Sequence, residues 1–229
     1  IKGKRIFFLT SDYLFGHDLA KAAKAFVAAN GGTVVGDELT ATDTTDFSPF
    51  LLKIRQAKPD LVATNLGGNQ VTNFVKQYAE FGLPFQVAGF NLNTADAWSA
   101  GEGNLAGIWP TVWHHELDTP GSKAFVAAFR KKYGKPPENH AWIEYVSLKI
   151  MAQAMNATKS TDTDKLIAYF ESQAEFDLLK GRKGYFRSWD HQLVQEAYPF
   201  TVKPKSEMKD KWDMLVLGDA VPAPGAGLD

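Results

Sequence analysis

The stretch RIFFLTSDYLFGHDLAKAAKAFVAANGG, residues 5–32, contains the pattern that decides the fold. Residues 5–10 form a continuous apolar run of the kind that a buried strand has. From residue 17 to residue 30 apolar side chains recur at helical spacing, and Gly31 and Gly32 end this helix. A buried strand followed directly by a helix predicts one strand–helix unit of a parallel sheet.

The same unit recurs along the first half of the chain. We predict further strands at residues 33–39, 61–64, 85–89 and 108–112. We predict the intervening helices at residues 47–57, 69–81 and 94–99. Buried strands that alternate with helices form a right-handed parallel sheet covered on both faces. The predicted fold class is therefore α/β with a Rossmann-like parallel sheet, whose ligands lie outside the carboxyl ends of the strands.

The pattern changes after Trp113. Three helices follow with no strand between them, predicted at residues 119–133, 140–156 and 162–173. These helices have too little sheet of their own to cover, so the sequence predicts that they pack against another surface. Strand-like segments return at residues 185–189, 197–202 and 212–217, and residues 221–229 form a tail rich in Pro, Gly and Ala.

The composition limits the class of protein. Of the 229 residues, 45% are hydrophobic and 22% are charged, which is ordinary for a compact globular protein. The formal net charge of −1 provides no overall field that would attract nucleic acid. The absence of cysteine excludes disulfides and thiolate metal sites. No apolar run approaches the roughly 20 residues of a membrane-spanning helix, and we expect no signal peptide within this chain.

Three loops follow strands of the predicted sheet and are candidates for ligand contact. They comprise residues 11–18, 65–70 and 90–93. They offer aromatic faces, neutral amides and backbone N–H groups, which suit a ligand with an apolar body and a polar end. The competing interpretation is that the aromatic residues pack on the sheet while Asn, Asp and Gly serve as turns and helix caps.

Other motifs favour catalysis, metal or cofactor binding only weakly. The Gly67-Gly68 pair precedes a helix and could cradle phosphate, but the GxGxxG and Walker patterns are absent. His114-His115-Glu116 lacks the helical spacing of a zinc site, and Asp190-His191 has no nucleophile-elbow serine. The aromatic stripes of the later helices are typical of core, with Tyr145 as a provisional exception. We therefore predict no metal, no cofactor and no catalytic residues.

Several motifs together carry a family resemblance. Residues 10–16 (TSDYLFG), 46–48 (DFS) and 58–62 (KPDLV) resemble the second lobe of the type I periplasmic substrate-binding proteins of ABC transporters, in particular the leucine/isoleucine/valine-binding family. Residues 141–145 (AWIEY) resemble the start of a long first-lobe helix. Residues 184–190 (GYFRSWD) resemble the segment where the chain crosses back to the second lobe.

The resemblance implies a division of the chain into lobes. Residues 1–115 would be the family's second, ligand-binding lobe, and residues 116–183 the helical part of its first lobe. Residues 184–220 would return to the α/β lobe, with hinges near residues 113–115 and 184–189. Family members begin with first-lobe strand–helix units and a signal peptide that are not in this sequence. We therefore expect the chain to correspond to the C-terminal two-thirds of a family member.

The resemblance also implies individual ligand contacts. It places the family's ligand-stacking aromatic at Phe15, the contact after the Gly-Gly pair at Asn69, and the acidic partner of an amino acid's ammonium at Asn91. A neutral amide at Asn91 cannot balance a buried ammonium. The implied ligand is therefore an aromatic or aliphatic carboxylate, or another small metabolite, in preference to an α-amino acid. The predicted ligand-binding residues are Asp12, Tyr13, Phe15, Gly68, Asn69, Phe90, Asn91 and Tyr145.

The function implied by the resemblance is that of a periplasmic solute-binding component of an ABC importer. Its partners would be a small carboxylate or amino acid and a membrane permease, with no nucleic acid and no catalysis. Three alternatives remain open at this point. The chain could be the ligand-sensing domain of a receptor or regulator, or a hydrolase or nucleotide-dependent α/β protein using Asp12, His17 and Asp18. It could also be a structural fragment that pairs with its missing portion or with another copy of itself.

Overall fold

The computed structural model describes residues 3–90, 92–101 and 107–228. The chain divides into two compact units. The first unit comprises Ile1–Pro110 and Phe200–Val216, and the second comprises Thr111–Pro199 and Leu217–Asp229. This division differs from the sequence-based one at residues 111–115, 184–199 and 217–220, which lie in the second unit.

The elements follow one another along the chain much as the hydrophobic pattern predicts. The strands are β1 (Arg5–Ser11), β2 (Thr33–Thr40), β3 (Leu61–Asn65), β4 (Gln86–Gly89), β5 (Ile108–Thr111), β6 (Tyr185–Phe186), β7 (Leu193–Val194), β8 (Tyr198–Val202) and β9 (Leu215–Leu217). The helices are α1 (Leu14–Ala29), α2 (Ser48–Ala57), α3 (Asn69–Glu80), α4 (Thr94–Ala100), α5 (Pro120–Tyr133), α6 (Asn139–Thr158) and α7 (Thr163–Glu171), with a short 3-10 helix at Lys205–Glu207.

The main sheet has seven strands in the order β2-β1-β3-β4-β5-β8-β9. Strand β1 pairs in parallel with β2 and β3, and the parallel pairing continues through β4 to β5. The predicted α/β fold with a parallel sheet is thus confirmed. Phe8 and Leu9 of β1 are fully buried, as expected for a central strand covered on both faces.

The strand order creates a switch point in the sheet. Chain connections from β1 lead to β2 on one side, whereas β3 lies on the other side of β1. The connections therefore diverge at the carboxyl ends of β1 and β3, which opens a crevice where ligands bind in sheets of this type. The helix packing behind this edge includes Phe47 before α2 and Phe74 of α3, whose rings meet edge to face at 5.7 Å.

The second unit is built around two stacked tryptophans. The centroids of the Trp113 and Trp142 rings lie 6.1 Å apart, and the ring planes are nearly parallel, with an angle of 4° between them. Each indole N–H has a partner: Trp113 donates to Ser122 Oγ at 2.8 Å and Trp142 donates to the Leu178 carbonyl at 2.9 Å. Pairing both donors allows these large side chains to be buried without a hydrogen-bonding penalty.

The short strands of this unit differ from the sequence-based prediction. Residues 185–189 were expected to return to the main sheet, but β6 covers only Tyr185–Phe186 and pairs antiparallel with β7 as a separate hairpin. The turn between them is fixed by Arg187, whose guanidinium holds Asp190 at 2.7 Å. A local hairpin satisfies the backbone of this segment without any contribution from the large sheet.

Helices α6 and α7 expose several apolar side chains. A pocket of ≈ 440 Å³ between them and the β6–β7 hairpin is lined by Ile150, Met151, Ile167, Phe170 and neighbouring residues. Leu148 of α6 is 72% exposed. This surface matches the sequence-based expectation of helices with too little sheet to cover. None of the described helices is both long enough and apolar enough to span a membrane.

Candidate ligand-binding site

A pocket of ≈ 500 Å³ lies in the first unit at the carboxyl ends of β1, β2 and β3. Its position is the crevice that the switch point predicts. Three loops and the start of α3 form it. The lining residues are Ser11, Tyr13, residues 42–45, residues 67–70 and Asn73.

The turn from β1 into α1 brings the first of these residues to the pocket. Helix α1 begins at Leu14, three residues earlier than the hydrophobic pattern predicts, so the loop is reduced to Asp12 and Tyr13. Gly16 makes this tight turn possible, because a Cβ at this position would lie 2.1 Å from the Ser11 carbonyl oxygen. The sequence-based prediction of a loop over residues 11–18 is therefore wrong at its second half, which is helical.

Ser11 is the most unusual group in the pocket lining. It is 0% exposed, yet its hydroxyl has no hydrogen-bond partner among the described residues. The side-chain oxygen Oδ1 of Asn65, at the end of the neighbouring strand β3, is also buried and unpaired there, although Asn65 Nδ2 donates to Thr10 Oγ1 at 3.0 Å. A buried polar group without a partner costs about 1–3 kcal/mol, so a ligand that supplied the missing hydrogen bond here would recover this free energy.

The start of α3 forms a second side of the pocket. Gly68 precedes the helix with a φ of 55°, a conformation that favours glycine, and no described side chain caps this end. Asn69 is the first residue of α3, and the first turn contains no acidic residue. The N-terminal N–H groups of a helix carry partial positive charge, so this side of the pocket favours a hydrogen-bond acceptor.

The loop after β2 forms the third side, and sequence reasoning missed it. Two glutamines of α3 hold this loop. Gln70 Nε2 donates to the Ala41 carbonyl at 2.7 Å, and Gln77 Nε2 donates to the Thr45 carbonyl at 2.8 Å. Gln77 Oε1 also accepts from the Phe47 N–H at 2.7 Å. The sequence contains evidence for this contact. The loop follows a strand of the parallel sheet, so it lies at the ligand-binding edge, and the two glutamines are seven residues apart and therefore share one face of α3.

The next turn of the same loop is fixed by Asp46. Its carboxylate accepts a hydrogen bond from the Ser48 N–H at 2.9 Å, which begins helix α2. Hydrogen bonds from the side chain and backbone of Ser48 lower the pKa of Asp46 below its usual value. The DFS motif at residues 46–48 is therefore a helix start that anchors the loop, and Asp46 is not a pocket residue.

The aromatic residues after β1 form an exposed shelf. The Tyr13 and Phe15 rings stack at 5.6 Å with an interplanar angle of 26°, and they are 42% and 38% exposed. Asp12 beside them pairs with His17, with 2.8 Å between Oδ1 and Nε2. Both members of this pair are about half exposed, so the pair is a surface ion pair whenever His17 is protonated.

The predicted site residues do not all converge. Tyr13, Gly68 and Asn69 line the pocket, whereas Asp12 and Phe15 adjoin it on the α1 side. Phe90 follows β4 and is half exposed. Asn91 lies outside the described residues. Tyr145 belongs to the second unit, where its ring stacks on Phe125 at 4.7 Å.

The charge of the pocket lining is low. Of the described residues that line the pocket, Asp43 alone carries a formal charge, and it is exposed. The others supply hydroxyls, amides and backbone groups. Such a lining can bind a neutral polar group through hydrogen bonds, whereas an ammonium or a carboxylate would meet no opposite charge that is buried with it.

The weaker motifs have structural partners. Asp190 binds Arg187, and His191 Nε2 lies 2.8 Å from Glu171 Oε1, so these two residues do not form an acid–base pair with each other. The His114 and His115 ring centroids lie 4.2 Å apart with the planes tilted by 38°, and His114 Nδ1 accepts from the Glu116 N–H at 3.3 Å. Within residues 3–90, 92–101 and 107–228, no group of three or more His, Asp or Glu side chains could hold a metal ion.

Comparison with known proteins agrees with this geometry. Residues 1–208 match a family model described as periplasmic binding protein. The Leu/Ile/Val-binding protein homolog 8 of Brucella abortus is 28% identical over 178 residues, which are 73% of this chain and 44% of that protein. The chain spans about half the length of the curated relatives that it matches, 44% to 51%.

Solved structures show the same similarity. A periplasmic binding protein from Burkholderia mallei superposes with a TM-score of 0.85 at 30% identity, over 95% of this chain and 58% of that one. An ABC transporter solute-binding protein from Rhodopseudomonas palustris, in complex with 3,4-dihydroxybenzoic acid, superposes with a TM-score of 0.80 at 25% identity. The superposition covers 96% of this chain and 60% of that one. Because the family model covers nearly the whole sequence and the fold agrees, this chain belongs to the periplasmic binding protein family.

Proposed function

We propose that this chain is part of the solute-binding component of an ABC importer and that its first unit, the family's second lobe, contacts the uncharged part of a small carboxylate solute. The observation that carries the proposal is the pocket at the carboxyl ends of β1, β2 and β3, next to a stacked pair of exposed aromatic rings. The pocket offers hydrogen bonds and the rings offer an apolar face, a combination suited to holding a small ligand with a polar end.

The proposed ligand is an aromatic or aliphatic carboxylate. Tyr13 and Phe15 provide a flat surface against which a ring or alkyl body can pack. At residue 91, where the resemblance places an acidic partner for an ammonium, the sequence has asparagine. One similar solved protein was crystallised with 3,4-dihydroxybenzoic acid, which supports an aromatic carboxylate. A branched-chain amino acid is the second candidate, supported by the name of the Brucella relatives.

The test is a ligand panel on the natural polypeptide that contains this chain. Thermal stability is measured with leucine, valine, benzoate, hydroxylated benzoates and short aliphatic carboxylates. A bound ligand raises the stability by RT ln(1 + [L]/Kd), about 2.7 kcal/mol at a concentration of 100 Kd. We expect stabilisation by carboxylates that lack an amino group. Stabilisation by leucine or valine alone would overturn the proposed ligand class while leaving solute binding intact.

Two variants locate the ligand on the first unit. Phe15→Ala removes one of the two stacked aromatic rings and should weaken ligand binding about fivefold, since an aromatic contact is worth about 1 kcal/mol beyond its buried area. Phe26→Ala is the matched control, because Phe26 lies on the same helix and is 70% exposed. Equal effects of the two substitutions would exclude Phe15 from the site.

The position of Asn91 can be tested independently. Asn91→Glu would restore a carboxylate for an ammonium. We expect this variant to gain affinity for amino acids and to lose affinity for simple carboxylates. No change in either ligand class would place residue 91 away from the ligand.

The wider biological role is proposed on family grounds. The protein would act in the periplasm, deliver its solute to a membrane permease, and neither bind nucleic acid nor alter its ligand chemically. Genes for a permease and an ATPase next to the coding gene would support uptake, whereas a neighbouring signalling gene would support a sensor. Mass spectrometry of the ligand after prolonged incubation should recover it unchanged.

A further inference from the structure

We propose that the Ser11 hydroxyl forms a hydrogen bond with a hydroxyl group of the bound solute, so that the pocket binds a neutral, hydroxyl-bearing end of the ligand. This inference rests on the proposed function and specifies which chemical group enters the pocket. Its starting point is the burial of Ser11, which is 0% exposed, lines the pocket and has an unpaired Oγ within the described part of the chain.

The neighbouring polar groups form hydrogen bonds with one another, and none of those described bonds to the Ser11 hydroxyl. Gln70 Nε2 donates to Thr40 Oγ1 at 3.2 Å and to the Ala41 carbonyl at 2.7 Å. Thr40 Oγ1 donates to the Thr10 carbonyl at 3.4 Å. Asn65 Nδ2 donates to Thr10 Oγ1. None of these hydrogen bonds involves Ser11 Oγ, and Asn65 Oδ1 is also without a partner among the described residues. Because Ser11 lines the pocket, its hydroxyl can bond to a ligand that enters there.

The charge of the pocket lining determines which ligand groups can form a hydrogen bond with the Ser11 hydroxyl. A carboxylate would meet no cationic side chain among the described lining residues, and it would be repelled by Asp43 on the rim. An ammonium would have only the exposed Asp43 as a counter-charge and would oppose the positive end of α3. A hydroxyl carries no charge to desolvate, so it avoids both penalties.

A ligand hydroxyl also matches the geometry of donors and acceptors. It can donate its proton to Ser11 Oγ while its oxygen accepts from the N-terminal N–H groups of α3, where Gly68 and Asn69 begin the helix. Ser11 could equally donate to the ligand oxygen, because a serine hydroxyl rotates to suit its partner. Both arrangements give a hydrogen bond to a buried hydroxyl that has no partner among the described residues.

The experiment compares ligands that differ by one hydroxyl. Affinities of benzoate and 4-hydroxybenzoate, and of butyrate and 4-hydroxybutyrate, are measured by calorimetry for the natural polypeptide, for Ser11→Ala and for Ser122→Ala. Ser122 is a matched control because it is also 0% exposed but lies in the second unit and has hydrogen-bond partners.

We expect the wild-type protein to prefer the hydroxylated member of the pair that it binds by about tenfold, the value of one good hydrogen bond. Ser11→Ala should abolish this preference by weakening the hydroxylated ligand, with the affinity of the other member unchanged. Ser122→Ala should retain the preference. An equal loss for both members in Ser11→Ala, or a preference that survives the substitution, would overturn the inference.

A second measurement, the melting temperature, distinguishes a loss of binding from a folding defect. If the Ser11 hydroxyl is unpaired in the free protein, Ser11→Ala should melt at the same temperature as the wild type or higher. A decrease as large as that of Ser122→Ala would show an internal partner and overturn the inference. Binding of small carboxylates without any dependence on the hydroxyl would refute this inference alone, whereas failure to bind any solute would refute the proposed function with it.

Discussion

Ser11 and Ser122 are both completely buried, one in each unit of the molecule, but their hydroxyls have opposite surroundings. Ser122 Oγ accepts from the Trp113 indole N–H at 2.8 Å and donates to the Leu179 carbonyl at 2.7 Å. Ser11 Oγ is unpaired within residues 3–90, 92–101 and 107–228. The same side chain thus completes a core in the second unit and faces a pocket in the first. Burial alone therefore does not distinguish a structural polar group from a functional one; the hydrogen-bond partners do.

A larger polar cluster in the second unit, centred on Glu196, is also buried and hydrogen-bonded within the protein, as Ser122 is. Glu196, 3% exposed, accepts from the Tyr198 hydroxyl at 2.5 Å, from Arg182 Nε at 2.9 Å and from the Gly181 N–H at 2.9 Å. Burial opposes its ionisation, but the hydrogen bonds from Tyr198 and Arg182 outweigh this effect and hold the pKa of Glu196 below its usual value. The cluster is a structural centre of the second unit.

The largest expected effect comes from breaking this cluster. Glu196→Gln removes the negative charge that Arg182 faces, and Arg182 is itself only 23% exposed at its side chain. Removing one member of a buried ion pair destabilises by about 3–5 kcal/mol, and partial exposure of Arg182 places the expected loss near the lower end. Urea denaturation of both proteins measures the change.

The control for this substitution is Glu175→Gln. Glu175 pairs with Lys183, and both side chains are more than half exposed. A surface pair of this kind contributes about 0–1 kcal/mol. Similar losses for the two variants would contradict the structural role assigned to Glu196.

The next effect is a pH dependence that originates at Lys180. Its Nζ donates to Gln195 Oε1 at 2.7 Å and to the Glu196 carbonyl at 2.6 Å, and it lies 4.9 Å from the centre of the Trp142 ring. Burial lowers the pKa of Lys180 to about 7 from its usual 10.5, against the attraction of Glu196. Between about pH 7 and pH 10.5, Lys180 is protonated in the unfolded chain but has lost its proton in the folded chain. The free energy of unfolding therefore rises with pH in this range.

Lys180→Met should remove this dependence. For one proton the slope approaches about 1.4 kcal/mol per pH unit, so the wild type should gain stability relative to the variant between pH 7 and pH 9. Denaturation curves at pH 7, 8 and 9 measure the difference. Lys149→Met is the control, since Lys149 forms an exposed pair with Asp177. Parallel pH profiles for wild type and Lys180→Met would contradict a lowered pKa.

Ser122→Ala tests the paired member of the comparison. The substitution leaves the Trp113 indole N–H buried without its acceptor, whereas the Leu179 carbonyl keeps a hydrogen bond from Thr119 Oγ1. An unsatisfied buried donor costs about 1–3 kcal/mol, and we expect a loss of stability of this size. Thermal or urea unfolding measures it. A neutral result would mean that the tryptophan finds another acceptor.

Ser11→Ala should have the smallest effect on the free protein. Because the hydroxyl has no partner in the part of the chain that the structure describes, its removal should change the stability by less than about 0.5 kcal/mol or increase it. The same denaturation assay, run beside Ser122→Ala, compares the two buried serines directly. A loss equal to that of Ser122→Ala would remove the distinction between them.

Much of this architecture could be predicted from local sequence. The apolar run at residues 5–10 and the helical spacing after it are properties of neighbouring residues, and the parallel sheet follows from their repetition. The start of α1 was predicted too late because Gly16, which permits a tight turn, is read as a loop residue without knowledge of the Ser11 carbonyl beside it. The β6–β7 hairpin was missed for a related reason, since strands this short leave almost no periodic signal.

The sequence by itself determined the fold class, the edge of the sheet where a ligand could bind, and the family resemblance. Only the tertiary structure decided which residues meet at that edge. The loop at residues 42–45 reaches the pocket through hydrogen bonds from Gln70 and Gln77, which lie about thirty residues further along the chain. Ser11 differs from Ser122 only once the hydrogen-bond partners within the described residues have been located. Hydrophobic periodicity is a local property of the chain, whereas hydrogen-bond satisfaction depends on groups brought together from distant segments.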